Sequence, residues 1–226
     1  MTKLASCASM DAYYDSEKAP CECYSDTRVT ILHAINEWII GFKSPVLWLY
    51  GSAGVGKSVI AKTIAEAHRD RVVATFFFSI SSDRSGKTLF PTLALKLADT
   101  IPTTRPHIIA ALKHNCTLLI SQIEEQYMHL IAEPLDNSDV APGHIMIIDG
   151  VDECTDDNLR KRLLKVLERG AGKGKAQLRF IICSRPEPSI HRILHKVHNN
   201  HAPAATTSMQ QDDIGDTVLP ADLPAH

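Results

Sequence analysis

No stretch of the 226-residue chain comes near the ~18 consecutive apolar residues of a membrane-spanning helix, and the opening Met1-Thr2-Lys3-Leu4-Ala5-Ser6 holds no apolar signal core. Neither sign of charge dominates. The 24 Lys and Arg stand against 26 Asp and Glu, which removes the broad field expected of a protein that works on nucleic acid or an anionic membrane. Paired metal-binding cysteines are missing as well: the six cysteines are scattered, and the closest two, Cys21 and Cys23, have one spacer and no second pair nearby. Cys154 and Cys183 flank apolar runs instead, as reduced interior thiols do. Together these absences predict a soluble, cytoplasmic protein with no nucleic-acid or membrane partner. Its length fits one α/β domain with tails.

What is present is concentrated in residues 46–58, Val-Leu-Trp-Leu-Tyr-Gly-Ser-Ala-Gly-Val-Gly-Lys-Ser. An apolar run leads directly into Gly51-x-x-x-x-Gly56-Lys57-Ser58, the phosphate-binding loop (Walker A) pattern in its strand-to-helix setting. Gly51, Gly54 and Gly56 let the backbone curl so that successive N–H groups face one anion, with Ser52, Ala53 and Val55 completing the cradle. The following helix adds the positive end of its dipole. Lys57 is then expected to reach the β- and γ-phosphates of a nucleoside triphosphate, and Ser58 to ligate the Mg²⁺ that bridges them. The alternative, a glycine-rich turn with a solvated lysine, does not explain the flanking strand and helix patterns.

Around this loop, residues 1–26 show no sustained periodicity and read as a poorly ordered lead-in. The domain is expected over 27–200. Ile31, Ile35, Trp38 and Ile39 recur at helical spacing, giving a helix that stops near Gly41. Val72 to Ser79, Ile145 to Ile148 and Leu178 to Cys183 are short apolar runs, as expected of strands covered on both faces. Helices are predicted over Val59–His68, Thr88–Asp99, Pro106–Asn115, Ser121–Ile131 and Asn158–Arg169. Strands alternating with helices indicate an α/β fold with a mostly parallel sheet sandwiched between helical layers. Residues 201–226 read as a poorly ordered tail that makes a poor strand at best, with two prolines after Val218.

A phosphate loop needs an acid to hold its metal, and Asp149 stands at the end of the run Ile145-Met146-Ile147-Ile148. Ligands in such sheets sit beyond the carboxyl ends of the strands, so Asp149 and the loop should converge there. The chain continues Gly150-Val151-Asp152-Glu153-Cys154, placing two more carboxylates beside the metal acid. Hydrolysis needs an in-line water, and Asp152, with Glu153 second, is the expected carboxylate to orient it. The alternative role for these acids is solvation or capping of the helix near Asp156. Arg185, in Cys183-Ser184-Arg185-Pro186, brings a forked, permanently charged donor suited to reading a γ-phosphate, or else forms a surface salt bridge.

The three segments Gly51–Ser58, Ile147-Ile-Asp-Gly-Val-Asp-Glu-Cys154 and Ile181-Ile-Cys-Ser-Arg-Pro186 closely resemble the NACHT module of STAND signal-transduction ATPases, in the fungal NLR-like, nephrocystin-like branch. Thr27-Arg28-Val29 and Gly86-Lys87-Thr88-Leu89-Phe90-Pro91 are similar to the same branch. The resemblance spans roughly Cys21 to Val197. It implies a P-loop NTPase sheet ordered 5-1-4-3-2, ATP or dATP with Mg²⁺, and slow, switch-like hydrolysis coupled to self-association. The absence of an Asn-Lys-x-Asp guanine-reading segment fits adenine. The fifth strand is expected to be weak or missing, and the chain to be an isolated module without the helical lid, winged helix, repeats or effector of longer members. A second reading follows from that expectation: a nucleotide-independent interaction or decoy fragment pairing with longer NLR-like relatives through an open sheet edge. A small-molecule kinase is a third, with no residue set marking an acceptor pocket. His191, His195, His198 and His201 lie near helical spacing, but no carboxylate or cysteine joins them, which favours a solvated helix over a metal site.

Overall fold

The computed structural model describes residues 1–21, 23, 28–41, 44–80 and 84–194, and the backbone of 205–209. Its elements, in chain order, begin with α1 (Thr2–Ala5), a 3-10 turn (Met10–Ala12), α2 (Val29–Gly41), β1 (Val46–Gly51), α3 (Lys57–Ala67) and β2 (Val72–Phe77). Then come α4 (Leu89–Thr100), α5 (Arg105–His114), α6 (Ile123–Tyr127), a π turn (Met128–Ala132), α7 (Glu133–Asp136) and β3 (Ile145–Asp149). The chain closes with α8 (Asp157–Gly170), β4 (Arg179–Ser184), α9 (Pro188–Leu194) and β5 (Ala205–Met209).

The strands form one parallel sheet in the order β2-β3-β4-β1-β5. Side chains alternate between faces, and because the central strands are apolar at nearly every position, both faces need a cover. Val46, Trp48, Met146, Ile148, Phe180 and Ile182 pack with α4 through α9. Their neighbours Leu47, Leu49, Ile145, Ile147, Ile181 and Cys183 pack with α2 and α3. The result is the expected three-layer α/β sandwich. Among the described residues no helix is long and apolar enough to cross a membrane.

Three expectations are corrected. The stretch read as a poorly ordered tail contains β5, a short polar strand that pairs in parallel with β1 from Leu47↔Ala205 to Gly51↔Met209. Backbone hydrogen bonding to an already formed strand supports this segment despite its polar composition. Residues 210–226 of the expected tail, and His195, His198 and His201, lie outside the described residues. Second, the lead-in packs against the domain. Leu4 and Ala12 are fully buried, and the backbone N–H groups of Ser9 and Tyr14 donate to Thr92 Oγ1 and Thr75 Oγ1, each at 2.9 Å. Tyr13 donates its hydroxyl to the Thr92 carbonyl at 3.0 Å. Thr75 on β2 and Thr92 on α4 are themselves fully buried, so the N-terminal segment is tied by hydrogen bonds into the interior beside an edge strand; the Thr92 hydroxyl also donates to the Thr88 carbonyl at 2.6 Å. Third, the helix expected over Ser121–Ile131 passes through a π turn and continues to Asp136, with Pro134 accommodated in the first turn of α7.

The start of β4 carries a charge where an apolar run was expected. Arg179 is 3 % exposed, stacks 3.8 Å over the Trp38 ring, and donates to the carbonyls of Trp38 and Ile39 at 2.6 and 2.9 Å. These carbonyls belong to the last turns of α2, where a cation is favoured. Burial, reinforced by Arg71, lowers its pKa to about 10, which still leaves it charged at neutral pH. The docked lead-in yields a direct expectation. Leu4→Ala should cost about 2–4 kcal/mol in urea unfolding, as for a core leucine; a change within experimental error would mean that the segment is not packed.

Candidate functional site

β1 delivers Gly51 to the carboxyl edge of the sheet, and the chain then turns through Ser52, Ala53 and Gly54, all exposed, to Val55, which is buried and anchors the loop. Gly54 and Gly56 have φ of +80° and +92°, values that a side chain would strain. A Cβ on Gly56 would also collide with the Arg28 guanidinium. α3 starts immediately at Lys57 with an Ile60 N–H to Gly56 carbonyl bond of 3.0 Å. Lys57 Nζ bends back onto the loop, donating to the carbonyls of Gly51 at 2.9 Å and Ser52 at 2.8 Å. Burial lowers its pKa, opposed by Asp152 and Asp149.

Asp149 ends β3, 4 % exposed, and lies level with Cys183 on β4. The Ser58 side chain acts on its carboxylate, lowering its pKa, so the two oxygen ligands expected to hold a metal lie near each other at this end of the sheet. Its Oδ1 is buried with no hydrogen-bond partner. Burial raises the pKa to about 6, with Ser58 and Lys57 pulling it down and Glu153 and Asp152 pushing it up. A buried, unsatisfied carboxylate oxygen beside a hydroxyl is a hard oxygen set that fits Mg²⁺. The Cys183 thiol, fully buried against Asp149, is held protonated by burial and by that carboxylate.

The next acids are on a 3-10 turn, Val151–Glu153, entered through Gly150 at φ +71°. Asp152 is bound at both oxygens: the Arg185 backbone N–H donates to Oδ1 at 3.0 Å and Arg185 Nε to Oδ2 at 2.6 Å. The Asp152 side chain is 6 % exposed and that of Arg185 47 %. The Glu153 side chain lies over Gly150 and makes no hydrogen bond or ion pair among the described residues, while its backbone N–H donates to the Gly150 carbonyl at 2.8 Å. Asp156 takes the capping role, accepting from the Leu159 N–H at 3.0 Å at the start of α8. Arg160 of that helix donates to the Asp152 carbonyl at 3.3 Å and pairs with Glu187 at 2.9 Å, bracing the turn against the segment after Arg185. At the end of β4, Trp48 Nε1 donates to Ser184 Oγ at 2.9 Å, and Ser184 Oγ donates to the Arg185 carbonyl at 2.9 Å.

The residues expected at the nucleotide site, Gly51 to Ser58, Asp149, Asp152, Glu153 and Arg185, therefore gather at one edge of the sheet. Arg28 had been given no role, and the structure puts it there too. It adopts φ +59°, donates weakly to the Val55 carbonyl at 3.5 Å, and leaves its buried Nε without a partner. No spacing rule points to it, because it precedes α2 and reaches the loop only through the fold.

A family model described as nephrocystin 3, N-terminal, matches residues 27–185, well over half of the chain. The chain belongs to this family. No curated protein matches it. Among solved structures, the Walker-type ATPase PABY2304 of Pyrococcus abyssi aligns with a TM-score of 0.51 at 14 % identity, covering 86 % of this chain and 58 % of that one. That likeness shows the fold alone, a parallel α/β sheet between helical layers. PCH-2 of C. elegans aligns with a TM-score of 0.38 at 11 % identity, covering 93 % of this chain and 47 % of the other. The chain thus spans about half the length of these structures.

The site's most costly group is Asp149, whose ionised form is buried. With its folded pKa raised above the unfolded value, the cost is absent below about pH 4 and complete above about pH 6. Asp149→Asn should therefore raise the melting temperature of the ligand-free protein at pH 8 by several degrees, with the gain shrinking towards pH 4. Equal or lower melting temperature of the variant at pH 8 would contradict the burial argument.

Proposed function

We propose that this chain is the nucleotide-binding module of a NACHT-type STAND ATPase, taking ATP or dATP with Mg²⁺ and hydrolysing it slowly. The observation that carries the reading is the buried Asp149, its Oδ1 unpartnered, at the mouth of the Gly51–Ser58 loop and near Ser58. The loop and the α3 N-terminus would cradle the phosphates, Lys57 would leave its two carbonyls for the β- and γ-phosphates, and Ser58 and Asp149 would hold the metal. Bound there, Mg²⁺ would neutralise charge on the phosphate oxygens.

Glu153 is the better candidate to orient the attacking water, because Asp152 has both oxygens committed to Arg185. Arg185 would then read the γ-phosphate by exchanging its carboxylate partner for the phosphate. That tie is also the physical reason for expecting slow turnover, since a strong bidentate contact has to loosen first. The second reading, an interaction fragment pairing through an open sheet edge, would have to use the edge of β5 or of β2, because β5 covers β1.

Calorimetric titration with ATP, ADP and GTP, with and without Mg²⁺, tests the assignment. Adenine nucleotides should bind in preference to GTP, and Lys57→Ala should weaken ATP at least tenfold, the loss of a charge-assisted contact being worth about 1.5–3 kcal/mol. Unchanged affinity in Lys57→Ala would sink the reading. For turnover, Glu153→Gln should lower the hydrolysis rate by about two orders of magnitude, the usual contribution of a positioned base, while leaving ATP affinity near wild type. Asp152→Asn should instead alter the preference for ATP over ADP by releasing Arg185; the reverse pattern would return the water-orienting role to Asp152.

A further inference from the structure

Arg28 occupies a position that its own chemistry does not favour. It is the last residue before α2, and its carbonyl accepts the Leu32 N–H at 3.0 Å, so it stands at the capping position of a 13-residue helix. That position suits a short oxygen-bearing side chain, and the positive end of the helix dipole disfavours a cation there. Its φ of +59° is a left-handed conformation natural to glycine or asparagine and strained for arginine. Strain of this kind persists only where the surroundings impose it, and it is concentrated at ligand sites.

The surroundings here are the phosphate loop. The segment before Arg28 is tied to α3, with the Cys23 N–H donating to Thr63 Oγ1 at 2.9 Å. The half-buried Arg28 side chain then lies against Gly56, in the space that a Cβ would need. Its bonding is poor: Nη2 donates to the Val55 carbonyl at 3.5 Å, Nη1 to Cys23 Sγ at 3.7 Å, and Nε is buried with no partner. No carboxylate pairs with it among the described residues. The other cations at this edge are engaged, Arg185 with Asp152, Arg160 with Glu187 and Lys57 with two loop carbonyls. A guanidinium is charged at all relevant pH values and carries five donors in one plane. Arg28 therefore holds an uncompensated charge and an unused donor beside Gly56 and Lys57, where the loop passes into α3.

We propose that Arg28 is a second phosphate-binding cation of the nucleotide site. Its role rests on the nucleotide reading. The N–H groups of the loop and of the α3 N-terminus cradle the α- and β-phosphates, and oxygens held there would replace the Val55 carbonyl and the Cys23 thiol as acceptors for the Arg28 fork. Arg28 comes to the loop from the start of α2 and Arg185 from the end of β4. The two thus divide the ligand, Arg28 gripping the phosphates common to ADP and ATP and Arg185 reading the γ-phosphate.

Titration calorimetry of the full chain with ADP and with ATP, each with Mg²⁺, compares wild type with Arg28→Gln and Arg28→Lys, with ligand-free melting temperatures recorded alongside. Arg28→Gln should weaken ADP and ATP alike, about tenfold each for the loss of one charge-assisted contact, leaving their ratio unchanged. Arg28→Lys keeps the charge without the fork and should recover part of that loss. The ligand-free melting temperature of Arg28→Gln should equal or exceed that of wild type, because the charge is uncompensated until an anion arrives; a residue that only braced the loop would lower it. Wild-type affinity for both nucleotides in Arg28→Gln, beside a loss in Lys57→Ala, would overturn the role of Arg28 and leave the nucleotide reading intact. A loss confined to ATP, or a lowered ligand-free melting temperature, would overturn it as well. No binding of either nucleotide to the wild-type chain would overturn both.

Discussion

The parallel register of three strands is the constraint on which the rest of the site depends. Leu49 of β1 and Asp149 of β3 both lie opposite Cys183 of β4, so the carboxyl ends of the strands finish at one level. One step further, each chain leaves the sheet differently: β1 into the glycine loop, β3 into a 3-10 turn of acids, and β4 into Ser184-Arg185. A slip of one residue in any strand would send its apolar side chains to the other face and move its functional residue out of reach. Burial on both faces forbids that slip. Packing thus fixes chemistry here, since the same Ile, Val and Phe side chains that exclude water from the sheet also set where Asp149 sits relative to Lys57 and Ser58.

Polar groups inside the two apolar layers reinforce this register. Arg179 joins the start of β4 to the end of α2, so the helix of one layer is tied to the central strand rather than merely packed on it. At the other end, Trp48 and Ser184 join β1 to β4 by a side-chain hydrogen bond in the other apolar layer. Each of these groups would cost stability if left unpaired in its buried position. Each has a specific partner on a neighbouring element, and only the native register supplies both.

Much of this was legible in the sequence, for local reasons. Gly51–Ser58 carries its own conformation in its glycines, and the strands declare themselves because a run buried on both faces has to be apolar throughout. Asp149 follows from a charge placed directly after such a run. The rest rests on long-range contacts. Nothing local in Ser9, Tyr13 or Tyr14 announces that they bond to Thr75 and Thr92, so the lead-in looks loose until the fold brings them together. β5 is polar and is recognisable only as a backbone complement to β1. The pairing of Asp152 with Arg185 joins residues 33 apart along the chain. Sequence reasoning placed both at the site and assigned each its own ligand, without means of seeing that they satisfy each other.

That mutual satisfaction also bears on how the site would respond to a nucleotide. The ligand-free charges are arranged among themselves: Lys57 against the loop carbonyls and near Asp149 and Asp152, and Arg185 on Asp152. On the proposed reading, phosphate binding draws Lys57 and Arg185 towards the ligand and away from the acids. Asp149, Asp152 and Glu153 would then be three neighbouring carboxylates with no cation, in a place where burial already makes ionisation of Asp149 unfavourable. A divalent cation offsets that repulsion where it arises, so phosphate and metal are bound more favourably together than either is alone. The buried Oδ1 of Asp149, unpartnered without a ligand, is the residual cost that such joint binding would remove.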